Sequence, residues 1–364
     1  MKADELYDAL AKQGLDMYCG VPDSLLKEFC ACVSARSLTG RNIIAANEGN
    51  ALALAAGHYL ATGHPAVVYM QNSGLGNVVN PLLSLTDEEV YRIPALLLIG
   101  WRGEPGVHDE PQHVKQGKLT LPLLETMGIP YEILSDLSQV EDVCRAMMTS
   151  GKPHALVVRK GLFEAYSRAA LPHREGMVRE EAIRLVTTLM GERDLVVSTT
   201  GMISRELYES RETHERDFLT VGSMGHASSI ALGIALAKPE RKVFVFDGDG
   251  AFLMHMGAAA VVASCRAGNL KHIVFNNEAH DSVGAQPTVM GGVDLPRLAQ
   301  ALGYAKDFCA RTPEELRQAW DEFYGSEAPC LLEIKVTCGS RKDLGRPKEK
   351  PWENKERFEQ FIQE

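Results

Sequence analysis

The chain has 364 residues, 45% of them apolar and 24% charged, with a formal net charge of −10. That length suits about two domains, each able to bury a core, and the composition excludes a disordered, collagen-like or low-complexity chain. The acidic balance argues against a nucleic-acid-binding protein, and it means that an anionic ligand has to be attracted by a local basic patch. The sequence contains no run of about 18 or more apolar residues, so no membrane span is expected. Its start, Met1-Lys2-Ala3-Asp4-Glu5, lacks the basic and apolar regions of a signal peptide. Eight scattered cysteines without a CxxC pair read as free thiols of a cytoplasmic protein.

Apolar runs of strand length alternate with longer helical stretches. In the first half the strands are expected at Met17–Cys19, Asn42–Ala46, Ala66–Met70, Ala95–Ile99 and Ala155–Arg159, with a helix at Gly49–Thr62. In the second half they are expected at Leu195–Ser198, Phe218–Val221, Val243–Asp247, His272–Asn276 and Leu331–Val336, with a helix at Met256–Arg266. Runs such as Val243-Phe244-Val245-Phe246 are apolar throughout, as in strands buried on both faces of a parallel sheet. The alternation implies α/β domains. The polar stretch 167–180 is read as a linker between domains at 1–166 and 181–364. The tail after Cys338, rich in Lys, Arg, Pro and Glu, is read as a C-terminal arm that is solvated or folds over a site.

The motif with the most chemistry is Gly248-Asp249-Gly250-Ala251, directly after an expected strand. Glycines permit a tight turn and close approach of backbone N–H groups to a phosphate. A carboxylate beside a phosphate would repel it unless a divalent cation bridged the two, and Mg²⁺ prefers such oxygen ligands. Twenty-five residues later, at the end of the next expected strand, stands Asn276-Asn277. A strand–helix–strand unit returns the chain to the same sheet edge, so Asp249 and Asn277 are expected side by side where open α/β sheets bind ligands. A dinucleotide fingerprint is disfavoured, because neither Gly248-Asp249-Gly250 nor Gly74-Leu75-Gly76 is followed by the third glycine.

Gly248-Asp249-Gly250, the 25-residue interval and Asn276-Asn277 together resemble the diphosphate and Mg²⁺ site of thiamine-diphosphate enzymes. The resemblance implies two cofactor-binding domains, a pyrimidine-binding one and a diphosphate-binding one, each a parallel sheet flanked by helices. The length leaves no room for the middle domain of larger relatives. The resemblance also implies a metal held by Asp249, Asn277 and the carbonyl of Ala279. Asn47-Glu48-Gly49-Asn50 resembles the family segment whose glutamate, here Glu48, hydrogen-bonds the aminopyrimidine ring. In Gly222-Ser223-Met224-Gly225, Met224 matches the apolar wedge that bends the cofactor, and the Gly222 carbonyl accepts from its amine. Thr199, Thr200, Gln71 and Asn72, at other strand ends, are read as further cofactor contacts.

Gly20-Val21-Pro22-Asp23-Ser24, the segment 101–113 and Arg341-Lys342-Asp343-Leu344-Gly345-Arg346-Pro347 narrow the resemblance to decarboxylases acting on 2-keto acids with a second anion on the third carbon. The implied reaction is non-oxidative conversion of 3-phosphonopyruvate to phosphonoacetaldehyde and carbon dioxide in phosphonate biosynthesis. Sulfopyruvate or another 2-keto acid is the alternative substrate. Asp23, Ser24 and His113 are expected at the reacting carbon. Arg102, His108, His113, Lys342 and Arg346 are the candidates for holding the substrate anion, where arginine forks suit phosphonate. The resemblance also implies a homodimer or higher homo-oligomer with active sites at subunit boundaries.

Overall fold

The continuous apolar runs of the sequence become the inner strands of two parallel sheets. The structure, a computed structural model, describes residues 1–167 and 176–364, and the chain divides into two units, Met1–Ala170 and Leu171–Glu364. The first unit runs α1 (Ala3–Lys12), β1 (Tyr18–Gly20), α2 (Lys27–Arg36), β2 (Asn42–Ile44), α3 (Glu48–Thr62), β3 (Val67–Gln71) and α4 (Leu75–Pro81). It continues with β4 (Leu96–Gly100), α5 (Pro111–Thr126), β5 (Tyr131–Ile133), α6 (Ser138–Ser150) and β6 (His154–Val158). Its strands are all parallel, in the order β2-β1-β3-β4-β6-β5.

The second unit runs α7 (Arg179–Leu189), β7 (Leu195–Ser198), α8 (Met202–Glu209), β8 (Asp217–Leu219), α9 (Ala227–Ala237), β9 (Val243–Gly248), α10 (Asp249–Met254) and α11 (Gly257–Ser264). Then come β10 (Leu270–Asn276), the short antiparallel pair β11 (Ala279–His280) and β12 (Gln286–Pro287), α12 (Leu295–Leu302), β13 (Lys306–Ala310), α13 (Pro313–Gly325), β14 (Cys330–Lys335) and α14 (Pro351–Gln363). Its main sheet is ordered β8-β7-β9-β10-β14-β13 and is again all parallel. Counted from each unit's own first strand, the two orders are identical: second, first, third, fourth, sixth, fifth.

Burial on both faces explains the apolar runs. Val68 and Met70 pack into one core of the first unit, while Val67 and Tyr69 pack into the other. Phe244 and Phe246 likewise face one core of the second unit, and Val243 and Val245 the other. Each such side chain contributes about 1.5–3 kcal/mol of burial. In both sheets the direction of winding reverses between the first and third strands, and a crevice opens outside the carboxyl ends of strands at such a reversal. The loops after β1 and β3, and after β7 and β9, are therefore the places to look for a site.

Each sheet has six strands, where the sequence pattern suggests five in each half. The additions, β5 and β13, are edge strands with exposed residues, so neither forms a continuous apolar run. Of the stretch 167–180 read as a linker, residues 168–175 lie outside the described part. Met177 already bridges to Val336, and α7 begins at Arg179. The tail is fastened to the second unit. Arg341 pairs with Glu180 at 3.1 Å and with Glu209, and Arg205 donates to the carbonyls of Leu344 and Gly345. The tail then ends in α14, whose Asn354 side chain accepts from Leu219 N at 3.1 Å and donates to Asp217 O at 2.8 Å on edge strand β8. Among the described residues no helix is long and apolar enough to cross a membrane.

Candidate active site

In the first unit two carboxyl groups converge on the turn that follows β3. Asp23, after β1, is fully buried. It accepts from Gln71 Nε2 at 2.6 Å and from Leu25 N at 2.8 Å. Burial pushes its carboxyl up, against the lowering effect of Gln71, the Leu25 N–H and Arg102. Gly100, at the end of β4, leaves the space that the Asp23 carboxylate occupies, since a β-carbon there would collide with Oδ2. Glu48 is the first residue of α3, with Asn47 as the cap through a 2.8 Å bond from Gly49 N. Its carboxyl is buried, pushed up by burial, and held by Asn77 Nδ2 at 2.7 Å. Gly74 lies against it so closely that a β-carbon would stand 2.5 Å from Oε1.

Ser24 and Arg102 are joined: the guanidinium donates from Nη1 to the Ser24 hydroxyl at 2.8 Å. The rest of the Arg102 fork is committed to Asp109, through Nε at 2.8 Å and through Nη2. Burial would raise the Asp109 carboxyl, but Arg102 and the Gly103 N–H hold it down at about 2. Asn72 is buried and fixes the backbone of this loop, donating to Arg102 O and Thr120 Oγ1 at 2.8 Å each and accepting from Arg102 N at 3.1 Å. His113 is buried in α5 with its Nδ1 unpartnered, and burial and Arg102 hold its imidazole below its ordinary pKa. His108 is exposed on the preceding loop, so it does not share the buried position of His113.

In the second unit, parallel pairing of β9 and β10 sets Gly248 opposite Phe275, which brings the two halves of the motif together. Asp249 is 2% exposed and accepts from Thr288 Oγ1. Burial pushes its carboxyl up to about 6; the groups opposing that rise are Thr288 and the N–H groups of Asp249, Gly250 and Asn277, with no cationic side chain among them. Asn277 is buried and its Oδ1 accepts from Ala279 N at 3.1 Å. Ala279 is paired with Pro287, which has no N–H to offer its carbonyl. Gly250 is packed under His280, and Ala251 is buried beside it in α10. At the end of β7, Thr199 Oγ1 is buried and unpartnered, while Thr200 Oγ1 donates to Val221 O at 2.9 Å. Gly222 and Met224 are half-buried on either side of Ser223, whose φ of +51° is unusual for a residue with a side chain. Lys342 and Arg346 are exposed in the tail.

An all-oxygen donor set with one carboxylate matches Mg²⁺, which takes one or two carboxylates and completes its shell with phosphate and water. A buried carboxylate without a cationic partner and an unpartnered threonine hydroxyl at the neighbouring strand end are what a bound cation and its anion would satisfy. Several residues that complete these groups carried no sequence signal: Asn77 for Glu48, Asp109 for Arg102 and Thr288 for Asp249 are recognisable only once the fold brings them together.

Comparison with known proteins gives the family of the two units. Residues 2–121 match the thiamine pyrophosphate enzyme N-terminal TPP binding domain, and residues 198–334 match the thiamine pyrophosphate enzyme C-terminal TPP binding domain. The chain belongs to the thiamine pyrophosphate enzymes. Within that family it is similar to the phosphonopyruvate decarboxylase of Streptomyces viridochromogenes, 37% identical over 99% of this chain and 94% of the relative. The phosphonopyruvate decarboxylase of Streptomyces hygroscopicus is 35% identical over 100% of this chain and 94% of its own. A sulfopyruvate decarboxylase of Methanosarcina acetivorans is 29% identical over 99% and 97%.

Proposed function

We propose that the protein is a carboxy-lyase that converts 3-phosphonopyruvate to phosphonoacetaldehyde and carbon dioxide, using thiamine diphosphate and Mg²⁺. The observation that carries the reading is the pairing of a buried, uncompensated Asp249 with Asn277 at neighbouring strand ends, in a chain similar over its whole length to phosphonopyruvate decarboxylases. Asp249, the Asn277 side chain and the Ala279 carbonyl hold Mg²⁺. Gly248, Gly250, Ala251, Thr199 and Thr200 line the diphosphate. When bound, thiamine diphosphate supplies a thiazolium ring that accepts the electron pair released as the carboxylate carbon departs.

The protein's own groups orient and move protons. Glu48, held by Asn77 and packed against Gly74, presents a carboxyl that burial pushes above its ordinary pKa. That suits a group that must share a proton with a ring nitrogen near neutrality. Met224 and the Gly222 carbonyl would contact the bound cofactor, Met224 as an apolar support and Gly222 as an acceptor for its amine, and Gln71 and Asn72 shape the wall after β3. Asp23, Ser24 and His113 are the groups for the reacting carbon, with Arg102 holding Ser24. Asp109 takes Nε and one N–H of Nη2, and Ser24 takes one N–H of Nη1, so Arg102 meets the phosphonate through the second N–H of Nη1, alongside His108, His113, Lys342 and Arg346. The protein works as a homodimer or higher oligomer, with active sites at the subunit boundary, in the cytoplasm; its eight free cysteines support that compartment.

Incubation with 3-phosphonopyruvate, thiamine diphosphate and Mg²⁺ tests the reading. Phosphonoacetaldehyde should form, and omission of either cofactor should stop it. No product in the complete mixture would refute it. The second reading, sulfopyruvate as substrate, draws on the relative from Methanosarcina acetivorans and is tested with the same mixture.

A further inference from the structure

The loop that carries Asn277 and Ala279 is pinned at both ends by buried charges. Upstream, Asn276 Nδ2 donates to Glu333 Oε1 at 2.6 Å, and Lys335 Nζ pairs with the same oxygen at 2.7 Å. Downstream, Asp281 accepts from Arg179 Nη1 at 2.6 Å and from Gly339 N at 3.1 Å. The remaining edge of Arg179 grips Glu206, with Nε to Oε2 at 2.7 Å and Nη2 to Oε1 at 2.9 Å. Arg179 is 4% exposed and Glu206 1%. One guanidinium thus ties the start of α7, the middle of α8 and the segment after β11 to the backbone leaving β14. The adjoining tail residue, Cys338, donates its thiol to Asn277 O at 3.3 Å.

Between these two anchors the backbone takes a conformation that it would not hold alone. Glu278 has φ +56°, in the left-handed region that residues with side chains rarely enter, and its N–H is taken by Asn276 Oδ1 at 3.0 Å. Such conformations persist only where the surroundings over-determine them. Buried ion pairs are a poor way to add stability, since apolar residues of equal volume do as well, but they do fix geometry. The ends of this loop are where fixed geometry matters, because the Asn277 N–H faces the Asp249 carboxylate.

We propose that Arg179, acting through Asp281, is a positioning residue that sets the Asn277 side chain and the Ala279 carbonyl for a divalent cation. The inference rests on the reading of Asp249, Asn277 and Ala279 as the ligand set. Neither Arg179 nor Asp281 touches the cation. Partners that orient metal ligands typically change metal affinity by about 10–100-fold when lost.

The test is calorimetric titration of Mg²⁺ into the full-length protein with thiamine diphosphate present, combined with thermal melts and turnover at saturating Mg²⁺. Asp281→Asn and Arg179→Lys should raise the Mg²⁺ dissociation constant about 10–100-fold, with turnover recovering at saturating Mg²⁺. Glu206→Gln disturbs the same buried network but keeps the link to Asp281. It should lower the melting temperature while moving the Mg²⁺ constant less than about threefold, well short of the loss expected for an orienting partner. Wild-type Mg²⁺ affinity in Asp281→Asn and Arg179→Lys would overturn the proposal. An equal loss in Glu206→Gln, or failure of all three variants to fold, would assign the network to general stability and overturn it too. Asp249→Ala separates the two layers of argument: if it titrates like the wild type, the ligand reading itself fails. If it loses Mg²⁺ while Asp281→Asn does not, only the positioning role fails.

Discussion

Replacement of Asp249 by asparagine should stabilise the metal-free protein and abolish its response to Mg²⁺. Burial raises this carboxyl from the ordinary 3.8 to about 6. At 1.36 kcal/mol per pH unit, that difference of about 2.2 corresponds to roughly 3 kcal/mol. The native-state value is raised, so the stability associated with the neutral form is fully present below pH 3.8 and is lost as the pH rises through about 6. Asparagine cannot ionise and escapes the loss. Its amide group would, however, oppose one of the backbone N–H groups facing this position, offsetting about 1 kcal/mol. The variant should therefore gain about 2 kcal/mol at pH 8, or about 4–8 °C in the melting temperature of a unit of this size, and almost nothing at pH 4. Asp217, also raised to about 6 by burial, titrates in both proteins and cancels in the difference. Scanning calorimetry across pH 4–8 reads the effect. Added Mg²⁺ and thiamine diphosphate at about 100 times their dissociation constants should then stabilise the wild type by about 2.7 kcal/mol and leave the variant unmoved. Equal melting temperatures at pH 8 without metal would refute the buried, uncompensated carboxylate. An equal gain from Mg²⁺ would refute its role as a ligand.

Glu48→Gln preserves the shape and the bond from Asn77 but cannot exchange a proton, so turnover should fall about 10²–10⁴-fold with cofactor affinity little changed; steady-state kinetics and a thiamine diphosphate titration check both. Asp109→Asn removes the partner of Arg102. Because the native carboxyl is held at about 2, its contribution of about 2 kcal/mol is present above pH 3.8 and lost as the pH falls through 2. The variant should accordingly melt lower at pH 7 and converge on the wild type in acid. Asn354→Leu deletes both bonds from α14 to the edge of β8 and leaves a strand N–H and a carbonyl unmet, for a loss of about 1–3 kcal/mol in denaturant unfolding.

The inner strands were legible because burial on both faces forces uninterrupted apolar residues, as in Val243–Phe246. Edge strands β5 and β13 were not, because one side of Tyr131–Ile133 and of Lys306–Ala310 meets solvent and the sequence there looks like any polar connection. Helix α14 sits in a stretch so rich in charge that the sequence suggests only an arm, although its Phe358, Phe361 and Ile362 form a face that packs on a core of the second unit. Asp249, Asn277 and Glu48 could be found because turn chemistry and strand spacing confine them to neighbouring positions. The groups that hold them, such as Thr288, 39 residues from Asp249, and Asp281, 102 residues from Arg179, obey no spacing rule. They meet only through the packing of whole elements. Arg102 shows the limit most clearly: its charge suggests an anion site, but no sequence feature shows that Asp109 is the partner that orients its fork.

The central claim is tested most directly by kcat/KM for 3-phosphonopyruvate and sulfopyruvate, measured side by side with saturating thiamine diphosphate and Mg²⁺, with phosphonoacetaldehyde followed by phosphorus NMR. 3-Phosphonopyruvate should turn over at a kcat/KM well above that for sulfopyruvate, and only with both cofactors present. Preference for sulfopyruvate, or absence of phosphonoacetaldehyde, would contradict it.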